Sequence, residues 1–301
     1  MKDLKINKKN TDVTILIPTF NRSEYVQKAI ESSLNQTYPC KIIVCDHGSK
    51  DNTPEIMQKY KGKVQYVRKE EDLGPHFCWL DGVLHSETKY VKILYDDDWL
   101  DPTFIEKTRE MMHDDVGCVI TNAEISYESN GKTRIEKSTF FNKTGVFRNT
   151  RIKNELLLFA TVISPTCCLF RREELIDGLY QGNLLKKGGN YYHGVGPDMF
   201  IMLLGFLRYN KTGFVKEYLA TFRAHEKSIT IDANKNNETK SKIKKAYQDV
   251  VEFYCFLSFY RLFEIICLIP SRIIRRFLIY IKDIIKKSVF KGVLSRYVLK
   301  S

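Results

Sequence analysis

The chain has 301 residues, 43% of them hydrophobic, and carries a formal net charge of +12. A chain of this length and apolar content can bury a full core, either as one large domain or as a domain with an appendage. Its eight cysteines form no CxxC pair, and its N-terminus, MKDLKINKKN, has no apolar segment behind the cations, so a signal peptide is not expected. We therefore interpret the cysteines as reduced core residues of a cytoplasmic protein.

The first hundred residues alternate regularly between β-branched runs and helical patterns. The predicted strands, each with the helix that follows it, span residues 13–18 and 23–36, 41–46 and 53–60, 64–68 and 76–86, and 90–95 and 102–113. Such repetition predicts an α/β fold with a mostly parallel sheet flanked by helices, because parallel strands need crossover connections and are buried on both faces.

Distinctive polar residues follow three of these predicted strands. They occupy residues 18–22, 46–49 and 96–98 and read PTFNR, DHGS and DDD. In open sheets of this kind, ligands bind beyond the carboxyl ends of the strands. We therefore expect these three segments to contribute to a binding site.

The aspartate triplet of Asp96, Asp97 and Asp98 is costly unless something neutralises it. Two carboxylates ~4 Å apart repel by about 1 kcal/mol in water and by about 4 kcal/mol at an effective dielectric of about 20. A divalent ion such as Mg²⁺ or Mn²⁺ suits an oxygen-rich site and can share its coordination with substrate phosphates. The alternative is a solvated acidic turn before the predicted helix, with Asp101 as the N-cap and Pro102 at the first helical position.

The segments that contain these strand ends resemble the three successive signatures of family 2 glycosyltransferases, which adopt the Rossmann-like GT-A fold. They read VTILIPTFNRSEYVQKAIESSLNQTYP, IIVCDHGSKDNT and YVKILYDDDWLDP, and their order and spacing over roughly residues 12–115 carry the resemblance. Past residue 115 the similarity is fainter and rests on CCLFRREEL, GVGPDMF and TFRAHEKS.

The resemblance implies that a nucleotide-activated sugar binds at the carboxyl edge of the sheet, with a divalent ion bridging its diphosphate to a DxD motif. Asp96 would face the ribose and a metal-bound water, while Asp98 would ligate Mn²⁺ or Mg²⁺ directly. Asp97 ranks third, because the middle side chain of an extended stretch points to the opposite side. The other nucleotide-sugar-binding positions implied at the strand ends are Pro18, Thr19, Asn21, Asp46 and His47.

His47 departs from the family pattern, which has a second Asp at this position. A histidine can still accept one hydrogen bond in the right tautomer, and uridine is the expected nucleoside. For Asp46 the alternative is an Asx turn. For Thr19 and Asn21 it is ordinary loop chemistry, and for Arg22 it is a plain surface cation.

The resemblance also implies a general base, which the family supplies from a Glu-Asp pair at the start of a helix in the second half. Here the segment reads GVGPDMFIMLLGFL, so the Glu is absent and Asp198 is the candidate base. The alternative for Asp198 is a helix N-terminal acid favoured by the macrodipole. His225 matches a late histidine on the metal or diphosphate, with a surface histidine as the alternative, and Arg223 is positioned to contact the diphosphate.

The basic residues are concentrated in a C-terminal tail. Residues 240–301 hold 14 Lys and Arg against four acids, which accounts for +10 of the net charge of +12. The polar segment TIDANKNNETKSK, residues 230–242, is a predicted linker. We therefore predict a glycosyltransferase domain over residues 1–230 and a basic amphipathic helical tail over residues 231–301.

Within this tail, residues 272–287 place apolar and cationic side chains on opposite arcs of a helical wheel. That pattern predicts a helix lying on an anionic membrane surface, contacted through residues 250–300. The apolar stretch before it carries Glu252, Arg261 and Glu264, which disfavours a transmembrane span. Packing on the catalytic domain or on a second subunit of a homodimer is the alternative. Nucleic-acid binding is not expected, because the cations lack interleaved exposed aromatics.

Together these features predict an inverting, metal-dependent glycosyltransferase, peripheral on the inner face of the cell membrane. It would move a sugar from a nucleotide-sugar to a lipid-linked saccharide in surface-polysaccharide assembly, of the O-antigen or capsule type. One alternative is a non-catalytic membrane-docking module that keeps the fold. Another is a nucleotidyltransferase, which requires a glycine-rich basic phosphate loop that PTFNRSEY does not provide.

Overall fold

A computed structural model describes residues 11–72, 74–129, 132–158, 163–181, 195–225 and 236–267, together with Tyr280. The first part of the fold alternates strands with helices. Its elements are β1 Val13–Thr19, α1 Ser23–Leu34, β2 Lys41–Asp46, α2 Thr53–Gln58, β3 Gln65–Arg68, α3 Pro75–His85 and β4 Tyr90–Ile93. β1 pairs in parallel with both β2 and β4, and β2 pairs in parallel with β3. The four predicted strands and the first three predicted helices are confirmed.

The hydrophobic pattern explains these elements. Every residue of β1 is buried, as expected for a central parallel strand that is covered on both faces. In α1 the buried residues recur at helical spacing, so one stripe of the helix faces the sheet; they are Val26, Ala29, Ile30 and Ser33.

The second part of the fold is mixed. Its elements are β5 Trp99–Leu100, α4 Phe104–Glu110, β6 Val116–Ser129, β7 Lys132–Ser138, β8 Gly145–Arg148, α5 Thr150–Leu157, a 3₁₀ turn Pro165–Cys167, β9 Cys168–Arg171, α6 Arg172–Gln181, α7 Pro197–Arg208 and β10 Lys211–Ala224. The sheet order is β3-β2-β1-β4-β9-β6-β10-β5, with β7 beside β6 and β8 beside β10. β9 is antiparallel to β4 and β6, whereas β10 is parallel to β6. This helix-flanked sheet confirms the predicted α/β class.

The helix expected over residues 102–113 is shorter than predicted. It begins at Phe104 with Thr103 as its N-cap. The Asp101 carboxylate accepts hydrogen bonds from the backbone N–H of Thr103 at 2.8 Å and from its hydroxyl at 2.6 Å. Asp101 therefore caps the turn before α4, and the N-cap of the helix lies two residues later than in the alternative interpretation.

A long C-terminal helix, α8, spans Asn237–Cys267. The prediction of a linker is therefore wrong for residues 237–242. The Asn236 side-chain oxygen accepts hydrogen bonds from the backbone N–H groups of Glu238 at 2.9 Å and Thr239 at 3.4 Å, as an N-cap residue does. Glu238 then pairs with Lys242 one turn later at 2.6 Å. Asparagine, which suggested a loop, starts a helix here.

The compact units of the chain divide between Val251 and Glu252. The tail as a membrane-associating segment from residue 231 onward stays a prediction. Among the residues that the structure describes, no helix is long and apolar enough to cross a membrane. The amphipathic segment predicted over residues 272–287 lies outside the described part of the chain, apart from the exposed Tyr280.

The seven cysteines whose side chains the structure describes are free thiols. Five of them are buried, as predicted, and Cys40 is half-buried. Cys255, on α8, is exposed and is the exception to the prediction that the cysteines are core residues.

Candidate active site

The carboxyl ends of β1, β2 and β4 meet at one edge of the sheet. Thr19 lies opposite Asp46 in the β1–β2 register, and Leu16 lies opposite Ile93 in the β1–β4 register. Beyond the strand ends, the Thr19 hydroxyl donates a hydrogen bond to Asp96 Oδ2 at 2.8 Å. The segments after these strands therefore lie close together at one edge of the sheet.

Two of the predicted residues, Pro18 and Asn21, have structural contacts at this edge of the sheet. Pro18 is buried inside β1 opposite Cys45. Asn21 has a left-handed φ of 52°, which asparagine tolerates better than most residues. Its N–H donates to Ser49 Oγ at 2.9 Å and its side-chain oxygen accepts from the Lys50 N–H at 2.7 Å, so Asn21 ties the loop after β1 to the loop after β2.

The aspartate triplet adopts a turn at Asp96 and Asp97. Asp97 was expected to point away from its neighbours, but alternation of side chains applies to extended backbone and not to a turn. Instead, Arg22 Nη1 pairs with Asp97 Oδ2 and lies 3.4 Å from Asp96 Oδ1. His225 Nε2 lies 3.1 Å from Asp97 Oδ2. The expected orientation of Asp97 is therefore wrong.

Arg22 is not a plain surface cation. Its side chain is 30% exposed and its guanidinium bridges two carboxylates of the triplet. Burial on its own would raise the pKa of Asp97, but the hydrogen bonds and charges of His225 and Arg22 hold that pKa below its ordinary value. Arg22 thus supplies part of the neutralising charge that the triplet requires.

Asp98 is buried and held from two other elements. Its Oδ2 accepts a hydrogen bond from the Thr166 hydroxyl at 2.8 Å, and its Oδ1 accepts from the Arg223 backbone N–H at 3.1 Å. Burial, reinforced by the charge of Asp97, raises the pKa of Asp98 well above its ordinary value. These two neutral donors orient the carboxylate without cancelling its charge.

Lys92, which is fully buried in β4, supports the turn that carries Thr166. Its Nζ donates hydrogen bonds to the carbonyl oxygens of Ile93 at 3.1 Å, of Pro165 at 3.1 Å, and of Thr166. Burial lowers the pKa of Lys92 to about 7. The lysine therefore links the strand that leads into the triplet to the turn that orients Asp98.

Two residues at and just after the end of β10, Arg223 and His225, lie next to the triplet. The Arg223 side chain donates from Nε to the Asp97 carbonyl at 3.2 Å and pairs through Nη1 with Glu128 at 2.7 Å. The His225 ring stacks on Tyr25 with centroids 4.8 Å apart. Both residues predicted on this segment thus lie beside the triplet.

The chemistry of these donors fits a divalent ion. Carboxylate oxygens combined with an imidazole are ligands that Mn²⁺ accepts. Burial raises the pKa of Asp96 to about 7 and that of Asp98 well above its ordinary value, so added positive charge would stabilise both carboxylates. Within the described ranges, no three His, Cys, Asp or Glu side chains are already grouped to hold an ion. Binding would therefore require some carboxylate oxygens to exchange their present donors.

The predicted nucleotide subsite lies after β2. Asp46 is fully buried, and its Oδ1 accepts from the Ser49 N–H at 2.8 Å. This bond reaches three residues along the chain, not the two of the Asx turn in the alternative interpretation. Asp46 Oδ2 accepts from the Tyr66 hydroxyl at 2.5 Å. His47 Nδ1 lies 2.5 Å from Asp72 Oδ1. In the neutral ring this contact places the proton on Nδ1 and leaves Nε2 as an acceptor.

Asp198 lies in the first turn of α7. Its Oδ1 accepts from the backbone N–H groups of Gly196 and Met199, both at 2.8 Å, as expected for a helix N-terminal acid. Its Oδ2 accepts from the Tyr247 hydroxyl at 3.0 Å. Burial raises the pKa of this half-buried carboxyl to about 6, against the lowering effect of these three hydrogen bonds.

The pKa of Tyr95, just after β4, is affected by the charges of both acidic sites. Burial raises the pKa of Tyr95 well above its ordinary value, and the negative charges of Asp198, Asp98 and Asp97 raise it further. Asp198 therefore acts on the same residue as the triplet, although the two lie a hundred positions apart in the chain.

Four residues with evident roles in this geometry were not predicted as site residues: Arg22, Lys92, Thr166 and Tyr247. Lys92 had a signal, because a single lysine inside the apolar run YVKILY must find partners in a buried strand. Thr166 and Tyr247 had no such signal in the sequence. Thr166 contacts Asp98, 68 positions away, and Tyr247 contacts Asp198, 49 positions away.

Residues 14–179 match the family model "Glycosyl transferase family 2". This match covers more than half of the chain, and the chain belongs to that family. The resemblance drawn from the strand-end segments is thereby confirmed.

Curated relatives agree with this assignment over part of their length. The chain is 40% identical over 86 residues to a chondroitin synthase of Pasteurella multocida, covering 27% of this chain and 9% of that protein. It is 27% identical over 125 residues to the putative glycosyltransferase EpsH of Bacillus subtilis, covering 40% of this chain and 36% of that protein. The chain thus spans less than half of these relatives.

Solved structures show the same fold at low identity. TarS 1–349 of S. aureus in complex with UDP-GlcNAc aligns with a TM-score of 0.53 and 18% identity, over 72% of this chain and 60% of that chain. The mannosyltransferase PcManGT of Pyrobaculum calidifontis, in complex with GDP-Man and Mn²⁺, aligns with a TM-score of 0.52 and 13% identity, over 92% of this chain and 81% of that chain. The GT-A fold is therefore shared.

Proposed function

We propose that this chain is an inverting glycosyltransferase that moves a sugar from a UDP-sugar to a hydroxyl of a saccharide acceptor. The observation that carries the proposal is the contrast between two acidic sites: the triplet at the sheet edge, in which Asp96 and Asp97 pair with Arg22, and the separate carboxylate of Asp198, which accepts from two backbone N–H groups and a phenol. A transferase needs one group of residues for the charged leaving group and another for the proton of the acceptor.

In this proposal Asp198 acts as the general base. Its pKa of about 6 leaves it ionised at neutral pH yet close enough to neutrality to accept a proton. With Oδ1 occupied by two N–H groups, Oδ2 can take the proton of the acceptor hydroxyl as that oxygen attacks the anomeric carbon. Attack on the face opposite the departing diphosphate inverts the anomeric centre.

The residues around the triplet bind the donor. A divalent ion held by Asp98 and His225 would supply positive charge to the departing diphosphate. Asp96 would contact the ribose, and Arg22 is close enough to the triplet to contribute a second positive charge to the diphosphate.

Uridine is the nucleoside that we propose for the donor. The imide N–H of uracil is a donor, and His47 Nε2 is an acceptor when Nδ1 carries the proton toward Asp72. Asp46 is enclosed by Ser49 and Tyr66, so we assign it to holding the loop shape around the base. Thr19 orients Asp96 through its hydroxyl.

The acceptor that we propose is a lipid-linked saccharide of surface-polysaccharide assembly, met on the inner face of the cell membrane. Relatives named as chondroitin synthases support a polysaccharide product. The basic tail supports a membrane location, because each cation near an anionic surface adds on the order of 1 kcal/mol to binding. The exposed Phe256, Tyr260 and Leu262 add apolar surface on α8.

The donor proposal is tested by a thermal-shift screen of nucleotide-sugars with and without Mn²⁺, followed by assays of nucleoside diphosphate release. A ligand that binds only the folded state raises its melting temperature. We expect a UDP-sugar with Mn²⁺ to give the largest shift and slow, metal-dependent release of UDP. If no nucleotide-sugar in the panel binds, the chain is a docking module that has kept the fold.

The membrane proposal is tested on the full-length chain, because α8 supplies Tyr247 to Asp198 and a truncation would disturb both. We compare Arg272, Arg275 and Arg276→Gln with a control of equal charge change, Lys59, Lys61 and Lys63→Gln, which lies on an exposed loop region. The tail variant should lose binding to vesicles containing anionic lipid, and the control should retain it. Equal binding by both variants would refute a tail-mediated membrane contact.

A further inference from the structure

The hydrogen bond between Tyr247 and Asp198 differs from the other two bonds to that carboxylate. Gly196 and Met199 lie in the same turn as Asp198, so their N–H groups follow the local backbone. Tyr247 comes from α8, 49 positions later in the chain, and its hydroxyl reaches Oδ2 at 3.0 Å. It is the one of these three donors that touches the oxygen left for chemistry.

We propose that Tyr247 is a positioning residue for the reaction, a donor from α8 that fixes the direction in which Asp198 Oδ2 presents its remaining lone pair to the acceptor hydroxyl. This inference rests on the proposed role of Asp198 as the base. A carboxylate oxygen has two lone pairs. With Tyr247 occupying one, the other is confined to a single direction.

Geometry and charge both suit this role. Rotation of the carboxyl group is limited at one oxygen by two backbone donors and at the other by the phenol, so the group is held at both ends. Burial and the Asp198 charge raise the pKa of Tyr247 well above its ordinary value. The phenol therefore keeps its proton and acts as a donor throughout the working pH range.

The same hydrogen bond sets the sign of a measurable effect. A donor to a carboxylate stabilises its charged form, so loss of the Tyr247 hydroxyl raises the pKa of Asp198. Tyr247 from α8 and Tyr95 after β4 are titratable groups that interact with Asp198, and raised pKa values keep both neutral near pH 7. Neither tyrosine changes its charge where Asp198 titrates, and Tyr247→Phe removes a hydrogen-bond donor but no charge.

The test uses full-length Tyr247→Phe, which keeps the ring and removes only the hydroxyl. Two quantities are measured as a function of pH: the carboxyl ¹³C shift of Asp198, assigned by its loss in Asp198→Asn, and kcat/KM for hydrolysis of UDP-GlcNAc with Mn²⁺. Tyr254→Phe is the matched control, since Tyr254 lies on the same helix and is a buried tyrosine. Circular dichroism confirms that each variant is folded.

We expect the wild-type rate to fall below about pH 6, in step with the titration of Asp198. In Tyr247→Phe the pKa of Asp198 and the apparent pKa of the rate profile should both rise by about one unit, while the KM for UDP-GlcNAc stays unchanged. A hydrogen bond to a charged group contributes about 1.5–3 kcal/mol, and one pKa unit corresponds to about 1.4 kcal/mol. Tyr254→Phe should move neither. If the Asp198 titration stays in place in folded Tyr247→Phe, the positioning role is refuted while the base survives. If the titration moves and the rate profile does not follow, Asp198 is not the base and both proposals fall.

Discussion

The carboxylates of Asp96, Asp97 and Asp98 and the separate carboxylate of Asp198 differ in what surrounds them. The triplet contains mutually repelling charges, and the guanidinium of Arg22 pairs with two of them. The donors described for Asp198 are neutral: two backbone N–H groups and a phenol. A site balanced by full charges suits binding of a charged diphosphate, whereas a carboxyl held by dipoles and titrating at about 6 suits exchange of a proton. In the function that we propose, the triplet therefore binds the charged diphosphate and Asp198 exchanges the proton.

The largest effect separates the two sites directly. Asp198→Asn should lower kcat for UDP-GlcNAc hydrolysis by about 10²–10⁴-fold, because the amide cannot take a proton. The melting-temperature rise caused by UDP-GlcNAc and Mn²⁺ should stay as in the wild type, since this carboxylate does not hold the donor. The control is Asp114→Asn, a fully exposed aspartate. A kcat within a few-fold of wild type in the Asp198 variant would move the base to another residue.

The opposite pattern is expected for the triplet. Asp98→Asn keeps the size of the side chain and an oxygen for the Arg223 N–H, but it removes the charge. The affinity for UDP-GlcNAc in Mn²⁺ should fall at least about 10-fold, because loss of even an outer-shell partner costs 10–100-fold in metal affinity. Isothermal titration calorimetry measures the change. Unaltered affinity would remove Asp98 from the donor site.

A smaller effect tests whether the orientation of Asp98 matters. Thr166→Val removes a buried hydroxyl that donates to Asp98 Oδ2 at 2.8 Å. The control, Thr212→Val, removes a buried hydroxyl that donates to Asn149 Oδ1 at 2.6 Å. Each should lower the free energy of unfolding by about 1–3 kcal/mol in urea titrations. Only Thr166→Val should also weaken UDP-GlcNAc binding in Mn²⁺, by about 10-fold. Equal donor affinities in the two variants would show that Thr166 contributes stability alone.

The sequence could predict the strand-end part of the site because that part follows from local pattern. Alternating apolar runs indicate β1, β2 and β4, and parallel strands necessarily end at one edge. Thr19, Asp46 and Asp96 were therefore predictable as neighbours without any knowledge of side-chain contacts. The contact of Thr19 with Asp96 joins residues 77 positions apart, yet it follows from the register of adjacent strands.

The remaining contacts were not predictable, because they depend on how distant elements pack. Tyr247 reaches Asp198 from a helix whose first turn looked like a polar linker, since Asn236 favours loops and helix N-caps alike. The direction of the Asp97 side chain was predicted wrongly, because the backbone turns at the triplet and side chains alternate in direction only along an extended strand. Arg22 appeared to be a surface cation because the sequence does not show that its guanidinium folds back over the triplet.

The smallest effect is expected for removal of the Arg22 guanidinium, which should strengthen the binding of Mn²⁺ alone and weaken the binding of UDP-GlcNAc. Arg22 competes with an incoming cation for Asp97, so Arg22→Gln should bind Mn²⁺ alone about fivefold more tightly, given that a partly exposed ion pair is worth up to about 1 kcal/mol. The same variant should bind UDP-GlcNAc with Mn²⁺ more weakly, because it lacks a cation for the diphosphate. Arg109→Gln is the matched control, since Arg109 forms an ion pair with Asp12 at 2.6 Å and its side chain is 29% exposed. It should change neither affinity in calorimetric titrations. If Arg22→Gln binds Mn²⁺ as the wild type does, the guanidinium and the ion do not share the triplet, and the charge balance drawn for that site is wrong.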